Sequence, residues 1–137
     1  VVICGSNKWL YKQLAGHSPN KITAVRFTDK MAAYMRMADV FVTKPGGLST
    51  TEGAVLGVPM VHIMSIPGCE TRNMRFFAQY GMSVPVKRIG MGLPAATDRL
   101  LSRAEAEKIT DNQRKYINSA AAADICRLAE KLINNGL

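Results

Sequence analysis

Lys44-Pro45-Gly46-Gly47-Leu48-Ser49-Thr50-Thr51-Glu52-Gly53, entered from the apolar run Val40-Phe41-Val42-Thr43, decides how this chain folds. A short apolar run, a glycine turn and then Ser-x-x-Glu read as a buried strand leading into a helix. Two glycines let the backbone come close to a ligand and take conformations closed to other residues. The helix behind them turns unpaired N–H groups and the positive end of its dipole toward whatever sits in the turn, which favours phosphate. The junction is a candidate site for a phosphorylated ligand.

Outward from it, short apolar runs alternate with helical patterns, the signature of a parallel sheet covered by helices. Strands are expected at Val1–Cys4, Ile22–Phe27, Val40–Thr43, Met60–Met64 and Ser83–Val86. Helices are expected at Lys8–Leu14, Met31–Met37, Thr50–Leu56 and Thr71–Tyr80, the last two stopped by Gly57 and Gly81. Thr28 or Asp29 is placed to cap Met31–Met37. Beyond Gly92 the pattern is helical to the end, with a break around Asp111–Asn118. Apolar spacing in Ala120–Leu132 predicts a helix packed back on the body. The expected fold is α/β, a doubly wound, Rossmann-like parallel sheet.

A chain of 137 residues has the length of one domain. Hydrophobic residues at 47% and charged ones at 20% are the balance of a globular chain and argue against disorder. No apolar run approaches the roughly 20 residues of a membrane span. The start, Val1-Val2-Ile3-Cys4-Gly5, has no basic region and no cleavage site of a signal peptide. It lacks an initiator Met and begins in mid-strand, so a fragment of a longer protein is expected. Cys4, Cys69 and Cys126 are odd in number and widely spaced, which argues against a disulfide framework or zinc site and fits a reducing cytoplasm. The net charge of +8 points to an anionic partner or to a solvated basic surface. Scattered cations with few aromatics among them make nucleic acid the weakest candidate partner.

Ligands of such sheets bind outside the carboxyl ends of the strands. Four loops follow strands there: Gly5-Ser6-Asn7, Phe27-Thr28-Asp29, Lys44–Glu52 and Ser65–Asn73. In the first, helix capping by Ser6 or Asn7 is favoured over phosphate binding. Neither the GxGxxG fingerprint nor a GxxxxGK[ST] loop is present. Glu52 either completes a capping box with Ser49 or offers its carboxylate to two hydroxyls of a ribose. The adjoining Gly46-Gly47, which a cap does not need, favours the second. Glu70 and Asn73 either begin a helix or grip sugar hydroxyls. Cys69 has no paired base nearby, so catalysis by it is discounted. His17, in a Gly-His-Ser-Pro turn, and His62, within a strand between Val61 and Ile63, are assigned core or surface roles rather than chemical ones. No spacing suited to a metal site appears.

Taken together these residues resemble the nucleotide-sugar-binding, C-terminal half of two-domain inverting glycosyltransferases of the GT-B fold, family 28 type. The group includes the monogalactosyl- and glucosyl-diacylglycerol synthases and the N-acetylglucosaminyltransferase of peptidoglycan lipid-intermediate synthesis. The resemblance is densest in Arg26–Met31, Ala38-Asp39-Val40, Lys44–Glu52, Gly57-Val58-Pro59 and Ile66–Asn73. It implies that Phe27 and the backbone of Thr28 hold uracil, and that Ser6 with Gly46, Gly47, Leu48 and Ser49 cradles the diphosphate. Glu52 would take the ribose hydroxyls, Cys69 and Glu70 would face the donor sugar, and Asn73 would support their loop. The family usually has Gln where this chain has Cys69, which leaves the donor sugar open.

The resemblance further implies metal-independent, inverting transfer of a hexose from a UDP-sugar, a substrate rather than a cofactor, to a lipid such as diacylglycerol. The activating base belongs to the family's N-terminal acceptor domain, so no catalytic residue is assigned to residues 1–137. The implied location is cytoplasmic, peripheral on an anionic membrane surface. Alternatives are a subunit completed by a separate membrane partner, a UDP-sugar epimerase and a non-catalytic UDP-sugar-binding module.

Overall fold

The computed structural model describes residues 1–17 and 21–134. They divide into two compact units, Val1–Tyr34 and Met35–Leu137. In the first, β1 (Val2–Ile3) pairs in parallel with β2 (Ala24–Val25), Val2 facing Ala24 and Ile3 facing Val25. α1 (Lys8–His17) joins them, and α2 (Met31–Met37) begins in this unit and runs across the boundary. α1 extends past the expected end at Leu14 to His17. Ser18 and Pro19 of the turn assigned there lie outside the described residues.

The second unit is built on a parallel sheet in the order β3 (Phe41–Thr43), β4 (Met60–Ile63), β5 (Val84–Val86). β4 is central, its Val61 opposite Val42 on one side and Val84 on the other. Pro85 has no N–H to give a ladder and sits on β5, which pairs on one side only. Successive residues of β4 face opposite sides of the sheet and supply two cores. Met60 packs with Ala54, Phe77 and Met82, while Val61 packs with Val86, Ala96, Leu100 and Ile109. The first set draws on α3 (Gly47–Val55) and α4 (Cys69–Gln79), the second on α5 (Ile89–Leu101) and α6 (Arg103–Tyr116). Helices thus cover a buried parallel sheet on both faces, as the alternating pattern predicts. The hydrogen-bonded pairing gives two sheets, of two and three strands.

α3 and α4 end alike. Gly57 and Gly81 have φ of 69° and 62°, where a side chain is strained. In each case two N–H groups beyond the helix bond back to its last turn: Gly57 to Ala54 and Val58 to Gly53, then Gly81 to Ala78 and Met82 to Phe77. Gly53 has a different reason to be glycine. A Cβ there would lie 3.0 Å from Met60 Sδ and 3.2 Å from the Phe41 ring, so α3 rests directly on the sheet. Gln113 of α6 donates to the carbonyls of Val58 and Met82, both 3.0 Å away, and ties down both helix exits.

Three expectations beyond residue 88 are corrected. Helix begins at Ile89 rather than past Gly92. The break expected around Asp111–Asn118 is confined to its end, at Ile117–Ala120, with another at Ser102. Asp111–Tyr116 continues α6, where the anchoring of Gln113 to Val58 and Met82 outweighs the weak helix propensity of Asp111 and Asn112. α7 (Ala121–Asn134) has no buried residue, so the expected packing of Ala120–Leu132 on the body is not found. Ile125, Leu128 and Leu132 line one face of it and stay exposed, since apolar spacing specifies a face and not its cover.

Candidate functional site

The first unit carries two of the four loops. Asn7 accepts from Leu10 N at 2.9 Å and caps α1, which frees Ser6, exposed beside it, from that task. Thr28 Oγ1 accepts from Lys30 N at 3.0 Å just ahead of α2. Phe27 is 80% exposed, a large aromatic face held in water.

The second unit carries the other two. α3 starts at Gly47, three residues before the expected Thr50, with Gly46 as its cap residue and no side chain bonded to its first turn. Ser49 is therefore the third residue inside the helix, and the capping box with Glu52 does not form. Glu52 stands exposed in the second turn. By helix geometry the N–H groups of Gly47, Leu48 and Ser49 have no partner within α3, and no acidic side chain lies in this first turn.

Neither glycine is there for the conformation expected of it. Gly46 has φ −71° and ψ 152°, ordinary extended backbone, and Gly47 is helical with negative φ. A Cβ added to either would meet nothing within 4 Å. Nothing among the described residues requires glycine at the two positions, and what they leave open is space in front of a bare helix N-terminus.

α4 also starts earlier than expected, at Cys69, after Gly68 with φ 103°. This places Cys69 and Glu70 in its first turn, with Cys69 exposed. Glu70 is already engaged. Lys44 Nζ lies 2.6 Å from Oε1, and the N–H of Ile66 donates to Oε2 at 2.9 Å. These contacts, Lys44 first, hold the carboxyl below the usual carboxylate range. Asn73 donates to the carbonyl of Pro45 at 3.0 Å. Two contacts thus brace the α4 loop against the turn that opens α3. Met64, at the exit of β4, has φ 46°, an uncommon conformation for a side-chain-bearing residue at the base of this loop. Leu48, Met64 and Ile66 expose apolar side chains around these polar groups.

His62 lies beneath. It is 0% exposed, with Nδ1 2.9 Å from Ser83 Oγ and Nε2 3.4 Å from Thr50 Oγ1. Burial lowers its pKa from 6.5 to about 4. The sequence marks His62 as structural, but neither its link to Thr50 nor the Lys44–Glu70 pair is signalled there. Each joins residues on different elements, and Lys44 carries only the hint of standing next to Pro45-Gly46-Gly47. Among the described residues no three His, Cys, Asp or Glu gather as a metal site.

Residues 1–125 match the Glycosyltransferase family 28 C-terminal domain. The chain belongs to that family. A processive diacylglycerol β-glucosyltransferase of Bacillus pumilus is 29% identical over 98% of this chain and 37% of its own length. The enzyme of the same title from Bacillus licheniformis is 35% identical over 87% of this chain and 31% of its own. The chain thus spans about a third of these relatives. Among solved structures, MurG of Acinetobacter baumannii superimposes with a TM-score of 0.69 at 22% identity, over 88% of this chain and 37% of that one. The glycotransferase of kitacinnamycin gives 0.63 at 26% identity, over 82% and 30%. The fold is the Rossmann-like half of a GT-B glycosyltransferase.

Proposed function

We propose that this chain is the donor-binding half of an inverting, metal-independent glycosyltransferase that uses a UDP-sugar to place a hexose on a lipid such as diacylglycerol. One observation carries this reading: Gly46 and Gly47 leave open space before an uncapped helix N-terminus that no demand of the chain explains. A diphosphate fits there by charge and by N–H donors. The same donors would stabilise the charge that grows on the leaving diphosphate as the acceptor hydroxyl attacks the anomeric carbon. Glu52, exposed one turn along α3, is suited to accept two ribose hydroxyls. The family resemblance would give the base to Phe27, whose ring is exposed, and to the backbone of Thr28, and would add Ser6 as a phosphate donor.

Cys69 stands exposed where the sugar would lie, and Asn73 supports its loop from below. With both oxygens of Glu70 already accepting hydrogen bonds, that carboxylate would reach a sugar only through its remaining lone pairs. The base that activates the acceptor, and the acceptor itself, are assigned to a further domain of the kind that makes up the rest of the relatives' length. A peripheral place on an anionic membrane suits the lipid acceptor. Supporting it, residues 1–28 include Lys8, Lys12, Lys21 and Arg26 and no Asp or Glu. Trp9, 69% exposed, stands on α1 beside Lys8. No helix among the described residues is long and apolar enough to cross a membrane.

Calorimetric titration with UDP, using ADP and GDP as controls and Glu52→Ala in parallel, tests the reading. UDP is expected to bind selectively and Glu52→Ala to weaken it. Absence of UDP binding at millimolar ligand overturns the proposal.

A further inference from the structure

Three buried polar side chains cross the second unit in a line. Ser83, just before β5, meets Nδ1 of His62 on β4, and Nε2 of the same ring meets Thr50 of α3. All three are buried, and the His62 ring lies edge-on to Phe77 with 5.5 Å between centroids. Around them the cores are apolar: Met60, Ala54, Phe77 and Met82 on one face, Val61 and Val86 on the other. An apolar contact alone would fix how close α3 lies to the sheet and leave its rotation loosely specified, because such contacts are non-directional. A hydrogen bond fixes direction as well. Thr50 is the fourth residue of α3, and its N–H bonds back to Gly46 O at 3.3 Å, across the turn that opens the helix. The line from Ser83 through His62 thus ends on the residue that closes the Gly46–Ser49 turn.

We propose that His62 is a positioning residue for this turn: the Ser83–His62–Thr50 bridge sets the rotation of α3 on the sheet, and with it the aim of the N–H groups of Gly47, Leu48 and Ser49. The inference rests on the reading above in one respect, that a diphosphate is what those groups meet. His62 touches no ligand and acts only through Thr50.

Two measurements test it, on Thr50→Val, which keeps the shape and removes the hydroxyl, on His62→Leu, and on Thr50→Ser, which restores the hydroxyl. The first compares affinity for UDP with affinity for uracil, which lacks the phosphates and also the ribose assigned to Glu52 of the same helix. Thr50→Val and His62→Leu should weaken UDP about tenfold, the scale of one well-aligned hydrogen bond to a charged group, and leave uracil unchanged. Thr50→Ser should match the parent chain. A purely structural role would weaken both ligands together, and that result, or an unchanged UDP-to-uracil ratio in Thr50→Val, overturns the proposal. The second records amide chemical shifts without ligand. Thr50→Val should move the Gly47, Leu48 and Ser49 signals, and Thr50→Ser should leave them in place. Unmoved signals in Thr50→Val overturn the inference whether or not UDP binds, whereas moved signals in a chain that ignores UDP would sink the donor reading alone. Should His62→Leu fail to fold, the two Thr50 variants decide the matter.

Discussion

Asn73 of α4 donates a hydrogen bond to the carbonyl of Pro45, twenty-eight positions earlier and 3.0 Å away. Pro45 is buried, so water cannot readily replace the donor. Asn73→Ala is expected to cost about 1 kcal/mol in urea unfolding and to weaken UDP binding, because the carbonyl lies next to Gly46. A variant as stable as the parent would show that the brace contributes nothing.

Gly47→Ala separates packing from binding. The added methyl meets nothing within the chain, and alanine at a helical position is more stable than glycine by roughly 0.5–1 kcal/mol. The variant should unfold at the same or a slightly higher temperature while losing UDP affinity at least tenfold. Unchanged UDP binding would mean that no ligand comes near this turn.

Acid should act through His62. Its folded pKa of about 4 lies below the ordinary 6.5, so between these values the unfolded chain holds a proton that the folded chain does not. Stability is therefore complete above pH 6.5, falls as pH drops toward 4, and levels off below. The loss attributable to this group is on the order of 3 kcal/mol. Urea midpoints measured around pH 7, 5.5 and 4 should show the decline, and His62→Leu should flatten it. An equal slope in the variant would assign the acid sensitivity elsewhere.

The Lys44–Glu70 pair works at lower pH and with the opposite chemistry. Its carboxyl titrates below the ordinary 4.5, held there first by Lys44 and then by the N–H of Ile66. The order it gives the loop is present above the ordinary value and is lost as pH falls through the depressed one. Side-chain carboxyl NMR titration should find the Glu70 midpoint displaced upward in Lys44→Met. No displacement would show that the ion pair does not persist in solution.

Vesicles of mixed zwitterionic and anionic lipid should retain the chain at low salt and release it at high salt. Lys8→Glu with Lys12→Glu should abolish retention, and Trp9→Ala should reduce it. Parent chain that stays in the supernatant with anionic vesicles would remove the membrane from the proposed function.

Strands β3 and β4 and the stops at Gly57 and Gly81 were legible in the sequence because local chemistry marks them: apolar runs of strand length, and glycines where φ turns positive. The start of α3 was not. Its cap is Gly46, which has no side chain to announce a helix, and Ser49 three residues later imitated the signal. The same false cue produced the Ser49–Glu52 capping box. Asn73 could be placed at its loop from the chain alone, but its bond to Pro45 could not, nor could the pairing of Lys44 with Glu70. Those depend on which strands lie side by side. The sequence leaves His62 open between core and surface; its burial follows from helices covering both faces of β4, and its partners come from a helix and from the approach to a second strand. In Ala120–Leu132 periodicity correctly gave a helix with an apolar face and said nothing of what lies against it.

Gly53 and Gly47 sit six residues apart on one helix and would answer opposite questions in a mutational scan. At 53 a methyl group collides with Met60 and Phe41, so every replacement should register in a screen that scores folding alone. At 47 the same screen should see nothing, and only selection for ligand capture should reject the change. Subtracting the first map from the second would leave a short set of positions tolerated by the fold and refused by its function. Their arrangement would trace the molecule that the empty space before α3 is shaped to receive.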